Sequence, residues 1–487
     1  MQYDAPVTAA AFNTYLTATG LSDSTTDAIS SLLSLDSGAS LSVAGFDGVN
    51  LELPAGQTGP VDVVTGVIAG TATDVVTVNV TSQLASAKAI ILGSDASLNI
   101  NITPVVAADG ATDVSSLARV AVSADATAAT QFLLSTGAGN DVLIVNGDQN
   151  NFIDSGDGND TIITGNGNNT VVAGAGSNVV ITGTGNDTVL LSGNGDVVNT
   201  GAGFDVVQLE GTRDSYTVTA GNNFDVAVTG TQAASITNAE FLTFVSTAAG
   251  VETIETVALV QNETEASALR LYEGILGRDA DLGGAQTFIA QANAGTSLTD
   301  IANSFLNSAE FSNNATTAPV NTLYNELLGR TGGADEGGLA NWQAVLANGG
   351  SLADVAAGIA GSAEAQAFDQ SNGDFVRDLY TAALGRDANQ DQEGLSNWVS
   401  QLFNGTSRAE VAQNIFGSQE AAAKADSDFI DNLYLTATGR ASDAGGKATW
   451  TEVLANGGTH ADVAIGIVGS AEAVAHNDNV VVLHGAV

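Results

Sequence analysis

Carboxylate and amide oxygens at a fixed interval are the chemistry this sequence offers most openly. From Asn146 the chain reads NGDQNNFID, SGDGNDTII, TGNGNNTVV, AGAGSNVVI, TGTGNDTVL, LSGNGDVVN, TGAGFDVVQ, an unbroken run of nonamers. TGAGNDVLI at Thr136 precedes them, with Val145 as a single insertion. The sixth position is always Asp or Asn: Asp141, Asn151, Asp160, Asn169, Asn178, Asp187, Asp196 and Asp205. If successive turns alternate sides, Asp141 stacks over Asp160, Asn178 and Asp196, and Asn151 over Asn169, Asp187 and Asp205. Carboxylates one strand spacing apart (~4.8 Å) repel unless a cation sits between them. Hard oxygen ligands, with backbone carbonyls completing the shell, suit Ca²⁺. The firmest pairs are Asp141 with Asp160 and Asp187 with Asp205. Asn151, Asn169 and Asn178 remove charge, and there a metal-free Asn ladder is the alternative. Asp157, in a third position, is a further candidate ligand.

The other columns say what holds these groups. The second position is Gly except at Ser192, and the fourth is mostly Gly, which permits positive φ and a tight turn. The eighth is always aliphatic: Leu143, Ile153, Ile162, Val171, Val180, Val189, Val198 and Val207. One nonamer cannot bury its aliphatic residue; stacked turns share a continuous core. The pattern resembles the RTX calcium repeat, G-G-x-G-x-D-x-U-x. That resemblance implies a parallel β-roll over 136–208, several bound Ca²⁺ ions, and export by type I secretion machinery without an N-terminal signal peptide. The segment from Asp214 to Phe244 is similar to those that close such arrays. It predicts a cap over 209–245, with Tyr216, Phe241 and Phe244 as packing residues.

Upstream, Phe12–Leu33 has a helical rhythm. Val61–Thr65, Asp74–Thr81, Ala89–Leu92, Leu98–Ile102 and Arg119–Val122 read as strands without a fixed period. They predict a β-rich domain over 1–135, or an irregular solenoid running directly into the nonamers. A polar linker is expected over 246–267. Over 268–478 a longer repeat takes over. Tyr272, Tyr324, Tyr380 and Tyr434 lie in stretches ending in Gly-Arg, at Arg278, Arg330, Arg386 and Arg440. Capping-box patterns then open helices at Ser297, Ser351, Ser407 and Thr459. Each such helix carries an apolar pair: Ile301/Phe305, Val355/Ile359, Val411/Ile415 or Val463/Ile467. Four all-α units follow. They resemble a domain of unknown function found in type I-secreted bacterial surface proteins. The four arginines are expected to pair with the acidic turns at Asp279, Asp335, Asp387 and Asp443 or to cap carbonyls. The sharper alternative is a set of Arg-plus-aromatic glycan pockets. The ending over 479–487 is expected to be a secretion signal by resemblance, or else a frayed strand.

Composition sets the limits. The chain has 487 residues, 54 acidic and 12 basic, for a net charge of −42. That field attracts cations and repels nucleic acid and anionic membranes. There is no Cys, so disulfides and thiolate sites are excluded. No apolar run approaches a membrane span. His occurs only at His460, His476 and His484, and neither H-E-x-x-H nor G-x-S-x-G is present. The expectation is therefore not an enzyme. It is a calcium-binding structural protein, extracellular or on the cell surface: a surface-layer, filament or matrix subunit that self-associates. An adhesin for cell-surface polysaccharide or lipopolysaccharide is the alternative.

Overall fold

A β-branched residue flanked by glycine turns buries its side chain only when another strand lies above and below it. That requirement organises the first half of the chain. The computed structural model describes residues 6–38, 40–105 and 129–483. It divides into two compact units: one of residues 1–266, 281–287 and 479–487, the other of 267–280 and 288–478.

In the first unit, two sheets run the length of a β-roll. The nonamer strands alternate between them. Val142–Val145, Thr161–Thr164, Val179–Ile181 and Asp196–Asn199 pair in parallel in one sheet. Asn151–Asp154, Thr170–Val172, Thr188–Leu191 and Val206–Glu210 pair in parallel in the other. Register is strict: Leu143 lies opposite Ile162, Ile162 opposite Val180, and Val180 opposite Val198. All eight eighth-position residues are buried in one core.

The boundary expected at 135/136 falls inside these sheets. Ser97–Ile102 pairs with Val142–Val145, and Ala89–Gly93 with Phe132–Ser135, so the roll already runs through Val43–Phe46 and Val63–Val67. The upstream turns differ in length, which hides the period, while their strands keep the same stack. The strand expected at Arg119–Val122 lies outside the described residues. Helices Ala9–Leu16 and Asp23–Leu32 cover the outside of the larger sheet, where Phe12 and Ile29 share a core with Leu133, Phe152, Val172 and Leu190. Thr25 Oγ1 donates to the buried Asp154 carboxylate, tying this cover to the roll.

At the far end, Tyr216–Ala220, Asp225–Gly230 and Ala234–Thr237 form an antiparallel cap on the smaller sheet. Phe241–Ala248 continues the larger one. The stretch expected as a linker is instead an antiparallel hairpin, Phe241–Ala248 with Val251–Val260. Its exposed Thr and Glu made it look like a tether, but Val257 and Leu259 point into the core. Val480–Val482 pairs in parallel with Ala258–Val260, and Leu483 is buried. The first described part of the expected tail is therefore strand.

The second unit is all helical. Its Tyr-bearing segments are the π-helical turn Tyr272–Leu276 and helices Ala309–Leu328, Asn372–Leu384 and Gln419–Thr438. Each packs against the next, and the last against the first, while the buried side chains form two clusters, one from the second and third repeats and one from the first and fourth. The capped helices pair within these clusters: Leu298–Leu306 with His460–Val468, and Leu352–Ala360 with Arg408–Phe416. The expected apolar pairs, Ile301/Phe305 through Val463/Ile467, are all buried. Reciprocal capping boxes form at Ser351, Ser407 and Thr459. Among the described residues no helix is long and apolar enough to cross a membrane.

Stacking, more than φ, explains the glycine columns. A Cβ on Gly174 would lie 1.6 Å from the Gly156 carbonyl oxygen, and one on Gly176 would lie 1.7 Å from that of Gly158. Gly174→Ala is expected to cost more than the 1–3 kcal/mol typical of backbone strain alone. Gly20, at φ +73 with open space around its Cβ position, is the control. Denaturant melts of Gly174→Ala and Gly20→Ala at fixed calcium check this, and equal losses would contradict the stacking argument.

Candidate calcium sites

The sixth-position residues are at most 1% exposed, although they sit in turns. All but Asn151, whose Oδ1 accepts from Gln149 Nε2 at 3.1 Å, use the first oxygen to hold the turn before. Asp160 Oδ1 accepts the Asp141 amide at 2.7 Å, Asn178 Oδ1 that of Asp160 at 2.9 Å, and Asp196 Oδ1 that of Asn178 at 2.7 Å. On the other edge Asn169 Oδ1 accepts the Asn151 amide at 3.3 Å, Asp187 Oδ1 that of Asn169 at 2.7 Å, and Asp205 Oδ1 that of Asp187 at 2.7 Å. Asp141 begins its edge by accepting the Leu98 amide at 2.7 Å. The two stacks have the membership and order expected from the sequence.

A second ladder, not anticipated, runs beside the first in the opposite sense. Asn140 Oδ1 accepts the Asn159 amide at 2.7 Å and Asn159 Oδ1 that of Ser177 at 2.7 Å. On the other edge Asn150, Asn168 and Asn186 accept the amides of Asn168, Asn186 and Phe204 at 2.8, 2.8 and 3.0 Å. The repeated Asn of the fifth position was its signal in the sequence. Neighbouring turns are thus clasped from both sides, fixing the loop backbone before any ion is considered.

The second carboxylate oxygens distinguish the aspartates. Oδ2 of Asp141, Asp160, Asp187, Asp196 and Asp205 is enclosed and has no hydrogen-bond partner. A buried, unpartnered carboxylate oxygen costs several kcal/mol as an anion unless a cation meets it. The asparagines show what fills the same place without metal. Asn169 Nδ2 donates to the Gly167 carbonyl at 2.7 Å, the Gly165 carbonyl at 3.3 Å and Asp187 Oδ1 at 2.9 Å. Asn151 Nδ2 donates to the Gln149 carbonyl at 3.0 Å and Asn169 Oδ1 at 2.6 Å. An ionised Asp has no N–H to offer those carbonyls. An aspartate turn therefore presents oxygens where an asparagine turn is self-satisfied, which is the donor set that fits Ca²⁺.

Asp157 stands apart, exposed in its loop, and contributes only its charge to the buried Asp154. Among the described residues no group of three or more His, Cys, Asp or Glu gathers as a discrete metal centre. One acid per turn, plus main chain, is a different arrangement.

The arginines' bidentate partner was not among those expected, although Arg278 and Arg440 also meet carbonyls as anticipated, those of Asp279 and Ala441 at 3.1 and 2.9 Å. Arg278, Arg330, Arg386 and Arg440 fork onto Glu310, Glu364, Glu420 and Glu472, the acids of the Ser-x-Glu starts. Each guanidinium also lies over its repeat's tyrosine, 4.8–5.5 Å from the ring centre. Asp335, Asp391 and Asp443 take only longer contacts, at 3.3–3.5 Å. The bidentate Arg–Glu geometry outcompetes the single turn acid. Each fork is thus spent on a glutamate of the same repeat.

Comparison with protein families agrees with this division. Residues 133–162, 145–180, 154–189 and 172–207 match the RTX calcium-binding nonapeptide repeat, and residues 261–315, 302–368, 365–425 and 422–477 match the domain of unknown function DUF4214. The chain carries RTX calcium-binding repeats followed by DUF4214 repeats. RTX repeats bind Ca²⁺ and imply a secreted protein. No curated protein and no solved structure matches the chain.

In the metal-free RTX roll, burial pushes Asp160 up to about 7 and Asp205 up to about 8; the backbone amides oppose the shift and neighbouring carboxylates add to it. Asp141, Asp187 and Asp196 are also raised, chiefly by burial. The fold then holds protons that the unfolded chain releases near pH 4. Unfolding releases protons, so stability in chelator falls as pH rises from about 4 to about 8. Calcium needs the carboxylates ionised, so its stabilising increment grows over the same range. Thermal melts across this range, with chelator and with calcium, read both slopes; a chelated protein that gains stability with rising pH would contradict the assignment.

Proposed function

We propose that this chain is an extracellular, non-catalytic structural protein of the bacterial cell surface whose roll folds, and whose copies assemble, when calcium binds. The observation that carries the reading is the set of five enclosed, unpartnered carboxylate oxygens along the two edges. In calcium-poor surroundings their mutual repulsion and desolvation oppose the roll. Calcium binds the folded turns and not the extended chain, so binding free energy becomes folding free energy. The ligands named for this role are Asp141, Asp160, Asp187, Asp196 and Asp205, with Asn151, Asn169 and Asn178 as neutral rungs.

Support for self-association comes from the outer face of the smaller sheet, where Val179, Ile181 and Val197 are exposed, Val197 at 50%. The corresponding face of the larger sheet is covered by the N-terminal helices. A surface-layer, filament or matrix subunit would use such a face between copies. Export by type I machinery belongs to the same proposal.

Circular dichroism of the full-length protein during calcium titration, with light scattering in parallel, tests the reading. Strand signal should rise with calcium and be lost in chelator, and scattering should grow once the roll is folded. Equal folding in chelator would remove the calcium requirement, and a calcium-folded protein that stays monomeric would remove the assembly role. Replacing both Asp187 and Asp205 with Asn should make folding less dependent on calcium by supplying the amide donors found at Asn169. Asn169→Asp should do the reverse, lowering stability in chelator and raising the calcium increment. The same titration monitored by melting temperature checks both signs.

A further inference from the structure

The nonamers end at Gln208, but the ladder of acids does not. Phe241–Ala248 pairs in parallel with Val206–Glu210, with Phe241 opposite Val206 and Leu242 opposite Val207. That register places Glu240 over Asp205, where the sixth position of a further turn would fall. Glu240 behaves as that residue. Its Oε2 accepts the Asp205 amide at 2.8 Å, as Asp205 Oδ1 accepts the Asp187 amide at 2.7 Å. The Glu240 and Phe241 amides return to the Asp205 carbonyl at 3.1 and 3.0 Å. Leu242 takes the place of the eighth-position aliphatic and is fully buried. On the opposite edge the stack stops, because Ala234 lies opposite Asp196.

We propose that Asp205 and Glu240 form a calcium site that fastens the last nonamer to the cap, beyond the residues that match the RTX repeat. The inference rests on the calcium reading of the roll and adds a site to it. Two independent observations point to a cation. Asp205 is fully enclosed, with Oδ2 unpartnered. Glu240 brings a second, half-buried carboxylate to the adjacent rung. A third acid, Glu265, is 4% exposed and its charge also acts on Glu240. Its oxygens accept the Gln261 amide and Asn262 Nδ2 at 2.8 and 2.9 Å, so it orients the junction and leaves the Asp205–Glu240 pair to face the ion. Glutamate suits the position because the cap approaches without the nonamer's glycine loop, and the longer side chain still reaches back to the Asp205 amide.

The test uses the full-length protein and calcium alone. Isothermal titration should show Glu240→Gln binding one calcium fewer than the wild type. The melting temperature of the variant should rise in chelator, where a repulsive charge has been removed, and fall in saturating calcium, where a ligand has been lost. That inversion separates an ion site from a packing role. An unchanged stoichiometry, or a shift of the same sign in both conditions, overturns the site. A wild type that binds no calcium overturns the reading of the whole roll, whatever the variant does. If Glu240→Gln does not fold in calcium, Glu240→Asp takes its place. It keeps the charge on a shorter arm, and calcium affinity unchanged at every site would overturn the proposal.

Discussion

Each turn of the roll lies on a copy of itself. Two nonamers make one circuit, so a residue meets its own kind in the turn below. This like-on-like stacking is favourable for aliphatic side chains and for amides, which both donate and accept. It is unfavourable for carboxylates, which can only accept when ionised. The same geometry that builds the core from Leu143, Ile162, Val180 and Val198 sets Asp141 against Asp160 and Asp187 against Asp205. The protein could avoid the conflict with asparagine, and at three rungs it does. At the other five rungs it retains aspartate, whose second oxygens are enclosed and unpartnered.

The helical unit places a fixed counter-charge beside one glutamate of each repeat. One arginine per repeat lies over a tyrosine and forks onto that glutamate. Few cations are spent elsewhere: only Lys88, Arg119 and Arg213 precede residue 264. Arginine–glutamate forks thus recur in the helical half, while the second oxygens of the roll's five sixth-position aspartates have no partner within the chain.

Much of this was legible in the sequence because stacking turns spatial neighbours into a fixed interval. The two edge ladders follow from the period alone. The capped helices, their buried pairs and the four repeats follow from equally local patterns. What escaped had no interval to reveal it. The strands before Phe132 keep the roll's register across turns of unequal length. Glu240 joins the ladder only through backbone pairing across a cap that breaks the period. The Arg–Glu forks span 32 or 34 residues, and the glutamates had already a sufficient local explanation in the first turns of their helices. The hairpin at Val251–Val260 was hidden by the polar residues of its projecting half.

The pairing of Val480–Val482 with Ala258–Val260 makes the helical unit an excursion between two neighbouring strands of one sheet. The excursion leaves from the end of Val251–Val260 and returns beside it, so both of its ends are anchored in the roll. Without Val480–Val482, the unpaired backbone of Ala258–Val260 would become a free edge, a template for a strand from another molecule. With Val480–Val482 in place, the edge of the larger sheet passes to a strand of only three residues, and short edge strands are poor templates.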